Sequence, residues 1–389
     1  MSVIEEEHRT SLPLHGVRVL DFTRVLAGPY CTALLADIGA EVIKVEPPQG
    51  DDYRHIGPFH SDGSSALFES VNRGKHSIVL DLTCPEDRAI ALQLAQNVDV
   101  VVENFRPGVA DKLGVGWVAL SAVNPRLVYA SISGFGQDGP NSRRPAYDFI
   151  LQAMSGIMSI TGETDGSAMP VGESIADVAS GLFASWAILA ALLSRNSTNV
   201  GRRVDLGMFD AMIALQPTAV ARYLATGDVP GRVGNRHALS APFGSFRAGD
   251  GDVVITVLNE KLFAVLATCM DRPDLLKDPR FSSDPLRLRH ETDLRREIEG
   301  WLANLSVADA VALLVKAGVP AAAVATIKDA LSSQQATMRP VLQSVDHPSL
   351  GLIEVPEQPA RFSMAARGRT GRAPRLGEHQ ADIAKLVGT

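Results

Sequence analysis

Residues 16–46 read GVRVLDFTRVLAGPYCTALLADIGAEVIKVE, and this stretch decides the fold class. Residues 17–22 and 41–46 are short apolar runs typical of buried strands. Between them, residues 29–38 have the composition of a helix and are followed by Gly39, which suits the left-handed position after a helix. A strand, a helix and a second strand in this order predict a βαβ unit with two parallel strands.

The same alternation continues along the chain. Further strand-like runs occupy residues 77–82, 98–103 and 127–133, and Pro85 opens a helical stretch at 86–96. Long apolar helices are predicted at 149–160 and 177–195, residues 204–216 continue apolar, and a short helix is predicted at 378–386. Repeated βαβ units of this length predict an α/β fold with a large, doubly wound, Rossmann-like domain.

The composition changes near residue 227, where Gly, Pro and Arg cluster. A strand-like run and several amphipathic helical segments follow. We therefore predict a large domain over residues 1–225 and a smaller α+β domain over 226–328. Residues 329–389 are predicted to return to the large domain.

Composition excludes several classes of protein. Of 389 residues, 46% are hydrophobic and 21% are charged, which are values typical of a globular chain with a sizeable core. The net charge of -7 and the lack of a basic face argue against nucleic acid as a partner, because acidic residues dilute the short basic clusters that occur. The uncharged run at 178–194 is short for a membrane span, so we expect a buried helix and no membrane partner.

The cysteines and histidines show no metal-binding spacing. Cys31, Cys84 and Cys269 are far apart, and no paired Cys/His pattern occurs, so neither a disulfide framework nor a metal site is expected. The first residues are acidic and polar, unlike a signal peptide. We expect a cytoplasmic protein.

Two familiar catalytic motifs fail in detail. Residues 134–139, GFGQDG, match the dinucleotide fingerprint by letter, but Pro140 and Pro145 interrupt the helix that the fingerprint requires. Residues 172–176, GESIA, lack the final glycine of a nucleophile elbow. The sequence therefore favours neither a nicotinamide enzyme nor a serine hydrolase.

Asp177 stands at the start of the uncharged helical run and allows two interpretations. It could cap the helix by accepting N–H bonds from the first turn. Those bonds and the helix dipole would also keep the carboxylate ionised, and a partly desolvated carboxylate is a competent nucleophile. The residues alone leave both interpretations open.

Several long motifs occur in order along the chain and resemble those of the family III CoA-transferases, which include formyl-CoA and carnitine CoA-transferases. They are VLDFTRVLAGP (19–29), LADIGAEVIKVEP (35–47), NRGK (72–75), VENFRPG (102–108), GFG (134–136), the segment 172–181 and RLGEH (375–379).

The resemblance implies a CoA-transferase that moves CoA from an acyl-CoA donor to a small free carboxylic acid. Asp177 is similar to the catalytic aspartate of the family, which forms an acyl anhydride and then an aspartyl-CoA thioester. No permanently bound cofactor and no metal is implied, because CoA thioesters are the substrates. Family members are interlocked homodimers, so the resemblance also implies a homodimer.

CoA-binding positions carry over on the same motifs. The positions implied for CoA and its phosphates are Leu26, Ala27, Lys75, Leu80, Asn104, Phe105, Arg106 and Lys112. The loop implied to face the thioester is Gly134, Phe135, Gly136 and Gln137, whose backbone N–H groups would stabilise an oxyanion.

Two alternatives remain within this resemblance. The first is a 2-methylacyl-CoA racemase of the same fold, which carries a histidine before the aspartate where this chain has Tyr147 and Asp148. A phenol is a poor general base at neutral pH, which favours the transferase. The second is a non-catalytic acyl-CoA-binding paralogue, which we would expect to lack the nucleophile, whereas Asp177 is present.

Overall fold

The computed structural model describes residues 12–363, 370–383 and 385. The chain forms two compact units: the larger contains the described residues of 1–157, 170–228 and 338–389, and the smaller contains 158–169 and 229–337. We predicted that 158–169 would belong to the large domain. The segment joins the smaller unit because Gly162 O accepts the N–H of Gly234 at 3.1 Å, and Arg232 Nε donates to Glu163 O at 3.2 Å.

A six-stranded parallel sheet organises the larger unit, with the order β3-β2-β1-β4-β5-β6. This is the strand order of the Rossmann fold, so the predicted α/β class is confirmed. The strands are β1 Arg18–Asp21, β2 Glu41–Glu46, β3 Lys75–Val79, β4 Val100–Glu103, β5 Val128–Ser133 and β6 Arg202–Gly207. The strand β6 was not predicted, because we had read residues 204–216 as one continuous apolar segment.

Helices cover both faces of this sheet. The helices of the larger unit are α1 Ala27–Asp37, α2 Ala66–Asn72, α3 Pro85–Gln96, α4 Val109–Lys112, α5 Trp117–Val123, α6 Asp148–Met154, α8 Ile175–Thr198, α9 Met208–Ala214 and α10 Pro217–Thr226, whereas α7 Ile157–Ile160 belongs mostly to the smaller unit. Neighbouring strand residues point to opposite sides: Val19 packs with α1, α8 and α9, whereas Leu20 packs with α3 and α5. The predicted helix at 149–160 is broken at Gly156, whose φ is 89°.

The smaller unit is α+β. Its antiparallel sheet has the order β7-β8-β9, formed by Phe243–Arg247, Asp252–Thr256 and Ala321–Ala323. Its helices are α11 Glu260–Cys269, α12 Asp284–Arg289, α13 Glu291–Leu302, α14 Val307–Ala317, α15 Ile327–Leu331 and α16 Gln334–Met338. Phe246, Ile255 and Phe263 lie in its core.

The C-terminal segment lies on the larger unit. An antiparallel hairpin, β10 Leu342–His347 and β11 Gly351–Pro356, precedes it. His379 N donates to Ser77 O at 2.9 Å, which places this segment along the free edge of β3. The helix predicted at 378–386 falls partly outside the described residues, and the described part contains the single turn Gln380–Asp382.

The helix α8 is central to the larger unit. Among the described residues, α8 is the only single helix that is long and apolar enough to cross a bilayer. The helices α13 and α14 meet the same criterion only if the bent pair is counted as one span. Core helices of soluble proteins have the same properties. One face of α8, including Ala184 and Ile188, is buried in the core of the larger unit.

Candidate active site

Asp177 is the third residue of α8, and it does not cap the helix. The N-cap residue is Ser174, and its side chain accepts no hydrogen bond from the first turn. Asp148 Oδ1 accepts the N–H of Ala176 instead, at 2.7 Å. The carboxylate of Asp177 is partly exposed and forms no hydrogen bond with any residue in the described part of the chain. Of the two interpretations of Asp177, the structure removes the capping one.

Asp148 and Gln152, both on α6, hold the segment that leads into α8. Gln152 Nε2 donates to Asp148 Oδ2 at 2.7 Å and to Glu173 O at 3.2 Å. Gln152 Oε1 accepts the N–H of Val171 at 2.8 Å. A buried amide on a neighbouring helix therefore holds the segment that leads into α8.

The surroundings of Asp177 make its carboxylate unusually basic. Burial raises the pKa of Asp177 to about 7, and the nearby carboxylate of Asp148 also raises it. At neutral pH, Asp177 is then ionised in a substantial fraction of the molecules. No hydrogen bond from a described residue lowers the reactivity of this anion. A more basic, poorly solvated carboxylate is a stronger nucleophile.

Close packing of α8 on α1 brings the first βα turn to the face of α8 that carries Asp177. Gly181 lies four residues after Asp177 and therefore on the same face. A Cβ atom at Gly181 would lie 2.7 Å from Ala27 O and 3.2 Å from Cys31 N, so only glycine permits this approach. The predicted positions Leu26 and Ala27 lie at the start of α1 in this contact.

A cavity of about 420 Å³ opens at the carboxyl edge of the sheet, where ligands bind in folds of this order. Leu80 and Phe105, both predicted CoA positions, line it together with Arg24. The Arg24 guanidinium lies 5.5 Å from the centroid of the Phe105 ring. Asn104 instead holds the backbone of Arg24, accepting its N–H at 2.9 Å and donating to its carbonyl at 2.8 Å.

The three predicted cationic positions differ in accessibility. Arg106 and Lys112 are exposed, and neither side chain pairs with another residue in 12–363, 370–383 or 385. Lys75 is buried, and its Nζ donates to Asn72, Pro29 and Asp21 at 2.9, 3.0 and 3.1 Å. In this structure Lys75 therefore does not present its ammonium to a phosphate, which leaves Arg106 and Lys112 for that role.

The loop 134–137 follows β5. Gly136 has a φ of 80°, and the N–H groups of Phe135 and Gly136 donate to no described residue. The N–H of Gln137 is used, because both oxygens of Asp205 accept it at 3.1 and 3.2 Å. Gly134 lies against Ala146, two residues before Asp148. Two of the predicted donors are thus unoccupied, and the oxyanion role stays a prediction.

Sequence reasoning missed a buried network beside this site. Asp51 Oδ1 accepts the N–H of Val25 and that of Tyr53, each at 3.0 Å. Lys44 Nζ donates to Asp51 Oδ2 and to Thr23 O, both at 2.8 Å. Val25 has a φ of 69°, which is costly for a β-branched residue. The available signal was Lys44, a charged residue in the middle of an apolar strand.

Metal ligands are not gathered in the described part of the chain, where no three histidine, cysteine, aspartate or glutamate side chains form a cluster. The site consists instead of an unpaired carboxylate, a cavity at the sheet edge and exposed cations nearby.

Comparison with known proteins decides between the remaining interpretations. The family model described as CoA-transferase family III matches residues 14–380. The chain belongs to CoA-transferase family III. This confirms the family inferred from the sequence motifs, and with it the predicted activity of an enzyme that transfers CoA from an acyl-CoA to a carboxylic acid.

Named relatives match over nearly the whole chain. The chain is 42% identical to an acetyl-CoA:oxalate CoA-transferase of Acetobacter aceti, covering 96% of this chain and 95% of the relative. It is 40% identical to a succinyl-CoA:mesaconate CoA-transferase of Haloarcula hispanica (96% of each). It is 38% identical to a succinyl-CoA:glutarate CoA-transferase of Mus musculus (96% and 86%).

Solved structures agree in fold. A CAIB/BAIF family protein from Brucella suis superimposes with a TM-score of 0.86 at 38% identity, covering 97% of this chain and 100% of the other. Rv3272 from M. tuberculosis superimposes with a TM-score of 0.86 at 34% identity, covering 96% and 99%.

Proposed function

We propose that this CoA-transferase works by covalent catalysis through Asp177. A carboxylate oxygen of Asp177 attacks the carbonyl carbon of the donor thioester. The C–O bond forms, the C–S bond breaks, and CoA leaves as the thiolate, giving a mixed anhydride. The thiolate then attacks the Asp177 carbonyl of the anhydride, which releases the donor acid and leaves an aspartyl-CoA thioester. The acceptor carboxylate reverses both steps.

One observation carries this proposal: the Asp177 carboxylate is basic and has no hydrogen bonds among the described residues. A carboxylate that only supported the fold would be expected to spend its lone pairs on neighbouring N–H groups, as Asp148 does. The cavity beside Phe105 and the exposed Arg106 and Lys112 offer places for the nucleotide part of CoA.

The racemase and the non-catalytic alternatives have less support. Two-base proton transfer needs a second base facing the first. Tyr147 is 73% exposed, and both oxygens of Asp148 already accept hydrogen bonds. A non-catalytic binder gives no reason to keep an unpaired, basic carboxylate at Asp177.

We propose dicarboxylic acids as the substrate class. The relatives described above are named for oxalate, mesaconate and glutarate, each of which has two carboxylates. One carboxylate would exchange CoA at Asp177, and the other would distinguish one acid from the next.

We propose a homodimer that uses the outer face of α8. Leu182, Trp186 and Leu193 are 48%, 68% and 74% exposed along this face. Beside them lies a groove of about 460 Å³ with apolar residues throughout its lining. Exposed apolar surface of this kind marks an interaction site, and a second copy supplies the same apolar face. Light scattering after gel filtration tests this: Trp186→Glu should yield monomers, and a monomeric native protein would contradict it.

The decisive experiment is CoA exchange. The purified protein is incubated with acetyl-CoA or succinyl-CoA and a panel of mono- and dicarboxylic acids, and new CoA thioesters are identified by mass spectrometry. Asp177→Ala should lose exchange while its Kd for CoA changes little, and the surface variant Asp228→Ala should match the native protein. Exchange at the native rate in Asp177→Ala would overturn the proposal.

A further inference from the structure

Tyr53 lies in the short 3-10 helix Asp52–His55 that follows β2. Its side chain is half-buried, yet the hydroxyl forms no hydrogen bond with any described residue. Burial raises the pKa of Tyr53 to about 12, and among nearby charges the carboxylate of Asp177 contributes most to this rise. A protonated hydroxyl without an acceptor therefore stands near a carboxylate without a donor.

The backbone of Tyr53 is fixed to the first βα turn by one buried carboxylate. Asp51 Oδ1 accepts the N–H groups of Val25 and Tyr53, each at 3.0 Å, and Lys44 holds the other oxygen at 2.8 Å. The side chains of Asp51 and Lys44 have no exposed surface. Tyr53 and the turn before α1 therefore keep a constant spacing.

The same turn contacts α8 beside Asp177. Ala27 O is the atom that Gly181 approaches, one helical turn after Asp177. Tyr53 and Asp177 thus reach this turn from two elements, interact electrostatically, and do not hydrogen-bond to each other.

We propose that the Tyr53 hydroxyl binds the oxygen of the acyl group that Asp177 attacks, a role that rests on the function proposed for Asp177. When the Asp177 oxygen bonds to the carbonyl carbon, the carbonyl electron pair moves onto the acyl oxygen. The Tyr53 O–H donates to this oxyanion without giving up its proton. When the C–S bond breaks, the pair returns to the carbonyl and the CoA thiolate leaves.

Local charge explains why a neutral donor suits this position. Besides Asp177, the carboxylates of Asp51, Glu173 and Asp148 act on Tyr53. A new oxyanion among these charges is unfavourable unless a donor meets it. A lysine there would also lower the pKa of Asp177 and weaken the nucleophile, whereas a phenol leaves the nucleophile basic.

Binding to an inactive enzyme isolates this contact. In the Asp177→Ala background, Kd is measured for acetyl-CoA and for S-ethyl-CoA, a thioether that lacks the carbonyl oxygen. Adding Tyr53→Phe should weaken acetyl-CoA binding roughly three- to tenfold and leave S-ethyl-CoA binding unchanged. Equal weakening of both ligands, or of neither, would overturn the inference.

Kinetics of the otherwise native enzyme give the second readout. Tyr53→Phe should lower kcat/KM for the acyl-CoA donor about 10- to 100-fold, with an unchanged melting temperature and an unchanged Kd for free CoA. Tyr223→Phe, on the exposed helix α10, is the matched control and should keep native values. A native kcat/KM in Tyr53→Phe, with Asp177→Ala inactive, would refute the role of Tyr53 alone; an active Asp177→Ala would refute the nucleophile itself.

Discussion

The Oδ1 atom of Asp148 accepts the N–H of Ala176 at 2.7 Å, at the first turn of the helix that carries Asp177. This contact gives α8 a cap from another helix, so Asp177 is not needed as one. It also brings a second carboxylate near Asp177, and this charge adds to the effect of burial in raising the pKa of Asp177 to about 7. This contact therefore leaves Asp177 without a capping role and adds to the effect of burial on its pKa.

The pH dependence of kcat/KM should follow ionisation of Asp177. In the proposed mechanism only the carboxylate form of Asp177 attacks, and its pKa is raised to about 7, so kcat/KM should fall about tenfold per unit of pH below that value. Asp148→Asn removes a charge that raises this pKa, so the acid limb should move to lower pH. Asp228→Asn, an exposed control, should leave it in place. A native acid limb in Asp148→Asn would contradict the electrostatic coupling.

Asp177→Asn should stabilise the fold at alkaline pH. Because the folded pKa of Asp177 lies above that of an unfolded aspartate, the folded state loses stability as pH rises from about 4 to about 7, and the whole cost of the buried charge is present above that range. Replacing it should raise the free energy of unfolding by on the order of 2 kcal/mol at pH 8, and by little below pH 4. Urea titrations at both pH values measure this. Equal stability of both proteins at pH 8 would show that the carboxylate is well solvated.

The Lys44–Asp51 pair should matter far more than a surface pair. Both side chains are fully buried, so Asp51→Ala removes the direct partner of an interior ammonium and should cost about 3 kcal/mol of unfolding free energy, the low end for a broken buried pair. Lys44 would keep Thr23 O and the influence of Asp21 and Glu46. The Arg247–Asp252 pair is 68% and 46% exposed, and Asp252→Ala should shift the urea midpoint very little. Similar urea midpoints for Asp51→Ala and Asp252→Ala would contradict the burial of the Lys44–Asp51 pair away from water.

Arg106→Ala and Lys112→Ala should each weaken CoA binding about 5- to 20-fold, and the salt dependence of binding should decrease. Both cations are exposed and unpaired within the described residues, and charge-assisted contacts to phosphate are of this strength. Arg126, just before β5, lies at the amino edge of the sheet, so Arg126→Ala is the control and should bind CoA as the native protein does. Native CoA affinity in both variants would show that the phosphates of CoA bind to other residues.

Local sequence patterns were sufficient for five of the six strands of the parallel sheet. The run at 41–46 coincides with β2, and Pro85 opens α3 as predicted, because each signal is local and strong. β6 was missed because its alternation of Arg202, Arg203, Val204, Asp205 and Leu206 is that of a partly solvated edge strand. The predicted helix at 149–160 is interrupted at Gly156, which has a positive φ that the apolar pattern does not predict.

The site could be predicted only in part, for a related reason. Asp177 stands out in sequence because it begins an uncharged helix, and the motif resemblance implies the catalytic role that we propose for it. The partner that caps α8 in its place, Asp148, comes from another helix, and only tertiary structure brings the two together. For Lys75 the motif implies a contact with CoA, whereas in this structure its Nζ donates to Asp21, Pro29 and Asn72, so the contact with CoA stays a prediction.

The most direct test of the central claim is chemical trapping at Asp177. The protein is incubated with an acyl-CoA donor, quenched with hydroxylamine, digested and examined by mass spectrometry. The covalent mechanism predicts an aspartyl hydroxamate on the peptide that contains Asp177, formed only when donor is present and absent from Asp177→Asn. Active turnover with an unmodified Asp177 peptide, or with the hydroxamate on another carboxylate, would contradict the account.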